Sequence, residues 1–180
     1  MRLWPLGGRD PEPLQRPRLA GVIAAGLASV PAALLVWWTG AAHMPAQVIG
    51  VSEPALVALS IIGLTVSGAL YGAIFLRAAN DWRGGWLFGL GWGFLTWALG
   101  PITICQWLLG RPISVGIDAA ILLVAHHLWG LAFGLVFPLI QDCIELKIEE
   151  ARPPREKSLH RRNPLDHAPQ SYRRTSGERR

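Results

Sequence analysis

Charge is nearly missing from the middle of this chain. Between Leu19 and Ile140 the only charged residues are Glu53, Arg77, Asp81, Arg83, Arg111 and Asp118. Cysteine is scarce as well. Cys105 and Cys143 are the two present, far apart, with no CxxC and no metal-ligand spacing, so neither a disulfide framework nor a zinc site is encoded. Apolar and polar residues do not alternate at period two, which excludes the pattern of a membrane β-barrel. No glycine-rich phosphate loop, nucleophile motif or cofactor fingerprint is present. The formal charge of +5 and the pI near 10.0 would fit a nucleic-acid binder. The basic residues lie instead at the chain ends and in short connections between apolar runs, so no nucleic-acid partner is expected.

What the chain does have is long uncharged apolar stretches. About 20 such residues are needed to cross the hydrocarbon core as a helix. Four stretches qualify, at about 19–38, 54–76, 85–109 and 114–140. Backbone amides in lipid must be satisfied within a helix or a closed barrel, so each stretch is expected to be a helix. Pro31 and Pro101 should kink the first and third. Ser52 suits an N-cap for the second, with Pro54 in its first turn. The expected fold is an all-α membrane protein, a four-helix transmembrane bundle. Residues 1–18 would form an N-terminal segment, 19–140 the membrane domain, and 141–180 a basic tail, largely disordered after 150.

Orientation follows from lysine and arginine. With four crossings, the N-terminal segment, the 77–83 connection and the C-terminal segment share one side and hold sixteen of the seventeen basic residues. The 39–53 connection and the 110–113 turn share the other side, with Arg111 alone. The positive-inside rule places both termini in the cytoplasm of a bacterial cell whose inner membrane the bundle spans. Residues 1–42 also look like a long secretory signal, with small residues at 40–42. The apolar core is longer than such a signal needs, and Trp37 and Trp38 resemble an interfacial anchor, which favours a retained helix. Trp82, Trp86 and Trp107 also fall near helix ends, whereas Trp92, Trp97 and Trp129 lie deeper, as packing residues.

Two internal features stand out. The run Leu70-Tyr71-Gly72-Ala73-Ile74-Phe75 is echoed by Leu128-Trp129-Gly130-Leu131-Ala132-Phe133, 58 residues later. Each copy lies in the second helix of a hairpin, which predicts two hairpins of similar design. Small residues also recur at four-residue spacing: Gly68 and Gly72, then Gly85, Gly89 and Gly93, then Gly130 and Gly134. In lipid, helices associate through close van der Waals contact, and such ridges allow it, within the chain or across a homodimer.

Candidate chemistry is confined to the fourth helix. His126 and His127 sit near mid-bilayer, and Asp118 lies two turns earlier than His126. Intramembrane ionisable groups are functional candidates. Three uses compete: an interhelical hydrogen bond, a proton or ion path with Asp118, and metal or haem ligation. Adjacent histidines point about 100° apart on a helix, so this pair cannot clamp one iron from opposite sides. His43-Met44 is a weak copper pair in a loop. Cys105 and Cys143 should lie in opposite halves of the bilayer, too far apart to bridge. The tail 151–180 carries net +6 and suits anionic headgroups.

The glycine-rich stretch Gly85 to Gly93 with Trp97 and Pro101, and the run His127-Leu128-Trp129-Gly130 followed by Gly134, resemble small bacterial multi-pass membrane proteins of unknown function, the YagU type. The resemblance covers about half the chain and implies no activity. The expected function is therefore a non-enzymatic scaffold or accessory subunit, without cofactor, partnered by the lipid bilayer and by a homo-oligomer or larger membrane complex. The rival is a small transporter or proton-conducting protein using Asp118 and His126 or His127.

Overall fold

The computed structural model describes residues 16–81, 84–108, 110 and 116–151, with the backbone alone for Leu76, Arg77, Cys105 and Leu108. The segment before Arg16, the Trp82-Arg83 pair, the turn bearing Arg111, Ser114 and the tail after Ala151 lie outside the described residues. So do the side chains of Arg77 and Cys105. The chain divides into Met1–Ile144, which holds the bundle, and Glu145–Arg180, whose described part is the end of the last helix.

The described residues are helical and contain no strand. Helix α1 spans Pro17–Thr39, α2 His43–Ile49, α3 Glu53–Ala79 and α4 Gly85–Trp97. A π-helical segment, Ala98–Ile104, leads into α5, Cys105–Leu108, and α6 covers Ile117–Ala151. Four stretches are long and apolar enough to cross a membrane, with mean hydropathy from 1.4 to 2.2. This is a multi-pass membrane protein built as an all-α bundle.

Local chemistry sets the helix ends. Pro17 opens α1, where a missing N–H costs nothing. Helix α1 then runs through Pro31 without interruption. Gly40, at φ 68°, closes it by donating its N–H to the Trp37 carbonyl, and Gly50, at φ 79°, closes α2 in the same manner. The Ser52 hydroxyl accepts the Ala55 N–H at 3.4 Å at the start of α3.

Three differences from the sequence reading have physical causes. The 39–53 connection is not plain loop, because α2 forms within it. Its Ala46 is buried and the helix lies against α3, which supplies the packing that a seven-residue helix lacks by itself. Pro101 has no N–H to serve the carbonyl one turn back, and the helix responds by widening into a π segment. The Thr103 hydroxyl donates to the Ala98 carbonyl at 2.7 Å across that widened turn. Finally, α6 does not end at Ile140. Ile140 and Ile144 continue the apolar stripe and pack on the core, carrying helix to Ala151.

Glycine and alanine bring the helices together in pairs. A Cβ built on Gly21 or Gly68 would overlap the backbone carbonyl of the other, and one on Gly72 would overlap the Pro17 carbonyl. Helix α1 thus lies backbone to backbone on α3. Its own contribution is a ridge of Ala20, Ala24, Ala28 and Ala32, all buried. That ridge has the same four-residue spacing as the glycines, and the sequence reading overlooked it. Helices α4 and α6 repeat the arrangement. A Cβ on Gly93 would overlap the His126 carbonyl, and those on Gly89 and Gly130 would overlap each other's backbone. Gly134 lies against Trp86 Cα. Gly85 behaves differently, because its Cβ would meet the Ala79 carbonyl at 2.7 Å, in the turn between α3 and α4.

The echoed motif has a structural counterpart. Gly72 and Gly130, 58 residues apart, each receive a carbonyl from the first helix of their own hairpin: Pro17 for one, Gly89 for the other. The aromatic residue before each glycine is fully buried and reaches into the other hairpin. Trp129 Nε1–H donates to the Ala25 carbonyl at 3.1 Å, and the Tyr71 hydroxyl donates to the Gly85 carbonyl at 3.3 Å. Glycine therefore closes each hairpin, and the neighbouring aromatic joins the two.

Candidate functional site

The bundle has two unlike halves. Near the end of the bundle where α1 begins, Tyr71, Phe75, Trp92, Phe133 and Phe137 interlock. Ring centroids are 4.6 Å apart for Tyr71 and Phe133 and 5.8 Å for Phe75 and Trp92. Trp129 stacks on Phe133 at 5.2 Å. Tyr71, Trp129, Phe133 and Phe137 are fully buried, so this half is packed solid.

The half nearer α2 is open. A cleft of about 830 Å³ is walled by α3 on one side and by α4 with the π segment on the other. Residues from α1 and α6 form its floor, and α2 covers its outer end. The π segment is part of this wall, so the departure from α-geometry at Pro101 shapes the cavity directly. Leu70, Leu95, Leu99 and Ile104 line the cleft yet stay exposed. The opening therefore has an apolar rim of the kind that faces hydrocarbon.

Asp118, Leu122, Ala125 and His126 all line the cleft from α6. Their spacing of four, seven and eight residues puts them on one helix face. Asp118 sits in the first turn, where the helix dipole favours a carboxylate, and His126 lies two turns deeper, about 12 Å away by helical rise. His126 Nδ1–H donates to the Leu122 carbonyl at 2.7 Å. That bond leaves Nε2 as a lone-pair acceptor. The sequence-predicted trio is thus divided. His127 makes the equivalent bond to the Leu123 carbonyl at 2.9 Å, but its ring lies against Phe94 at 6.1 Å and does not line the cleft.

Ser60 and Gln106 also line the cleft, and three further hydroxyls there are engaged with their own helices. The Ser29 hydroxyl donates to the Ala25 carbonyl at 2.8 Å, Ser67 to Leu64 at 2.8 Å, and Thr96 to Gly93 at 2.9 Å. Buried in the wall, Trp92 Nε1–H has no partner among the described residues. Trp97 Nε1–H donates to the Ala119 carbonyl at 2.9 Å, fixing the start of α6 beside the end of α4.

A second polar group lies outside the cleft. His43 Nδ1 meets Glu53 Oε1 at 2.6 Å, and the Gln47 amide meets His43 Nε2 at 2.9 Å. These contacts latch α2 to the start of α3 at the surface. His43 is thus tied to neighbours ten and four residues away, which a residue in an unstructured loop would not be. Among the described residues, no three His, Cys, Asp or Glu side chains converge as a metal site. Sequence reasoning missed the cleft itself. Its described lining comes from seven elements, α1 to α6 and the π segment, and no short motif marks it.

No family model matches this chain, and no curated protein or solved structure is similar to it.

Proposed function

We propose that this protein is a non-enzymatic component of a bacterial cytoplasmic membrane, with both termini in the cytoplasm, and that it binds a membrane-soluble molecule in the cleft between α3 and α4. It would do so alone or as an accessory subunit of a larger membrane complex. The observation that carries the reading is the contrast between the halves: an apolar cleft of ligand size beside α2, and a closed aromatic floor beneath it. Pockets of about 300–1,000 Å³ with few polar groups are typical of small-molecule sites. The charge asymmetry of the connections supports the orientation, which puts the cleft in the outer half of the bilayer.

The same contrast weighs against a proton or ion path. Asp118 and His126 share the cleft, but beyond His126 the route meets the fully buried Trp129, Phe133 and Phe137 rather than polar groups. The glycine ridges also lend little to a homodimer face, since Gly68, Gly72, Gly89, Gly93, Gly130 and Gly134 are consumed by contacts within the chain.

The test has two arms. Liposomes containing the protein and a pH-sensitive dye should show no proton flux above empty liposomes, and Asp118→Asn with His126→Phe should leave that result unchanged. Flux that depends on either residue would overturn the binding reading in favour of conduction. A fusion of alkaline phosphatase after Arg180 should be inactive in cells, while a cytoplasm-active fluorescent reporter there should be bright. The opposite pattern would invert the orientation.

A further inference from the structure

Among the described residues, the one charged side chain lining the cleft is the Asp118 carboxylate, and that charge selects the ligand. Ser29, Ser67 and Thr96 each spend their hydroxyl proton on a backbone carbonyl of their own helix, so they turn only lone pairs outward. His126 spends Nδ1–H on the Leu122 carbonyl and keeps an Nε2 lone pair. Asp118 adds a carboxylate, and no lysine or arginine among the described residues lines the cleft. Against these stand neutral groups that balance no charge: the Trp92 indole N–H, the Gln106 amide and the Ser60 hydroxyl. From this we infer that the cleft binds a lipophilic ammonium: a hydrocarbon or aromatic body held by the apolar walls, with its cationic N–H donors directed to Asp118 and the acceptors behind it.

The inference rests on the reading of the cleft as a binding site and adds the chemical class. A fatty acid or other anion would bring a second negative charge beside Asp118, in a wall whose described residues include no cation. A neutral quinone or ketone would leave the Asp118 carboxylate without a counter-charge. An ammonium reverses both mismatches. An opposite charge within a poorly solvated site gains far more than the same pair in bulk water. Entry through the apolar rim at Leu70, Leu95, Leu99 and Ile104 suits a molecule that has already partitioned into the bilayer.

The experiment uses three probes of one shape: 1-naphthylmethylamine, 1-naphthylmethanol and 1-naphthylacetate, the first cationic at neutral pH, the second neutral, the third anionic. Binding is measured by equilibrium dialysis against the full chain in nanodiscs of zwitterionic lipid, with empty nanodiscs as the baseline. The amine should saturate one site per chain, with the alcohol and the acid at least about tenfold weaker. Asp118→Asn should bring the amine down to the level of the alcohol. His126→Phe should weaken it severalfold, and His127→Phe should leave it unchanged. Gly63 lines the cleft with nothing within 4 Å of an added Cβ, so Gly63→Phe should fill the space and abolish binding of any occupant. If alcohol or acid equals the amine, and Gly63→Phe removes both, the ammonium inference falls while the binding site stands. If no probe saturates above empty nanodiscs, both readings fall. The comparison of probes on the unaltered chain holds even where a variant fails to fold.

Discussion

Substituting alanine for glycine at positions 89 and 91 should move stability in opposite directions, although the two residues are one apart from being neighbours on the same helix. At Gly89 an added Cβ would overlap the Gly130 carbonyl and stand 2.8 Å from Gly134 Cα. Ordinary van der Waals contact begins at 3.4 Å, so the Gly134 contact alone requires α4 and α6 to part by about 0.6 Å, and the overlapped Gly130 carbonyl requires more. No flexible side chain is there to yield, because both opposing atoms are backbone. Overpacking of this kind costs about 1–3 kcal/mol. A radial gap of that size forfeits about a quarter of each neighbouring contact's attraction. With no side chain to yield, the cost falls in the upper part of that range, about 2–3 kcal/mol, and alanine recovers about 1 kcal/mol in helix propensity, which leaves a net loss of about 1–2 kcal/mol. At Gly91 nothing lies within 4 Å of the added Cβ, so only the propensity gain remains, from about 0 to 1 kcal/mol in favour of the variant. Reversible unfolding of the purified protein in mixed dodecyl maltoside and SDS micelles, followed by circular dichroism, would read both. Equal shifts for the two variants, or no loss for Gly89→Ala, would show that α4 and α6 do not meet backbone to backbone and would refute the reasoning.

Other outcomes follow from particular bonds. Trp129→Phe should cost about 1 kcal/mol in the same assay, through loss of the 3.1 Å bond to Ala25, and more than Tyr71→Phe, whose bond to Gly85 is longer at 3.3 Å. Thr103→Val removes the hydroxyl that bridges the π segment, at a cost of about 1 kcal/mol in the same unfolding assay. It should also alter amine binding in the dialysis assay, since that segment walls the cleft. Glu53→Ala should change stability by less than about 1 kcal/mol, because both partners of the His43 pair are well exposed, and any loss should shrink as salt is added.

The echoed motif shows how far a local pattern reaches. The identity of Gly72 and Gly130 as close-approach points could be inferred from four-residue spacing, since only a missing side chain lets two backbones touch. The role of Tyr71 and Trp129 could not, because each bonds to a carbonyl in the other hairpin, at a separation of 104 residues for Trp129 and Ala25. The histidines divide in the same way. Both are visible as polar residues in an apolar helix, and both satisfy Nδ1 on their own helix. Only the neighbouring walls distinguish His126, on the cleft, from His127, against Phe94.

Among the described residues, residue order alone determined that four membrane-length helices exist and roughly where they begin. Those properties depend on composition along a short window, on the length needed to cross hydrocarbon, and on where arginine and lysine stop a crossing. Tertiary structure decided the rest: α2 formed only against the bundle, α6 outlasted its apolar run by packing Ile144, and a cavity opened between α3 and α4. A void is a property of several surfaces at once, and no single stretch of sequence carries it.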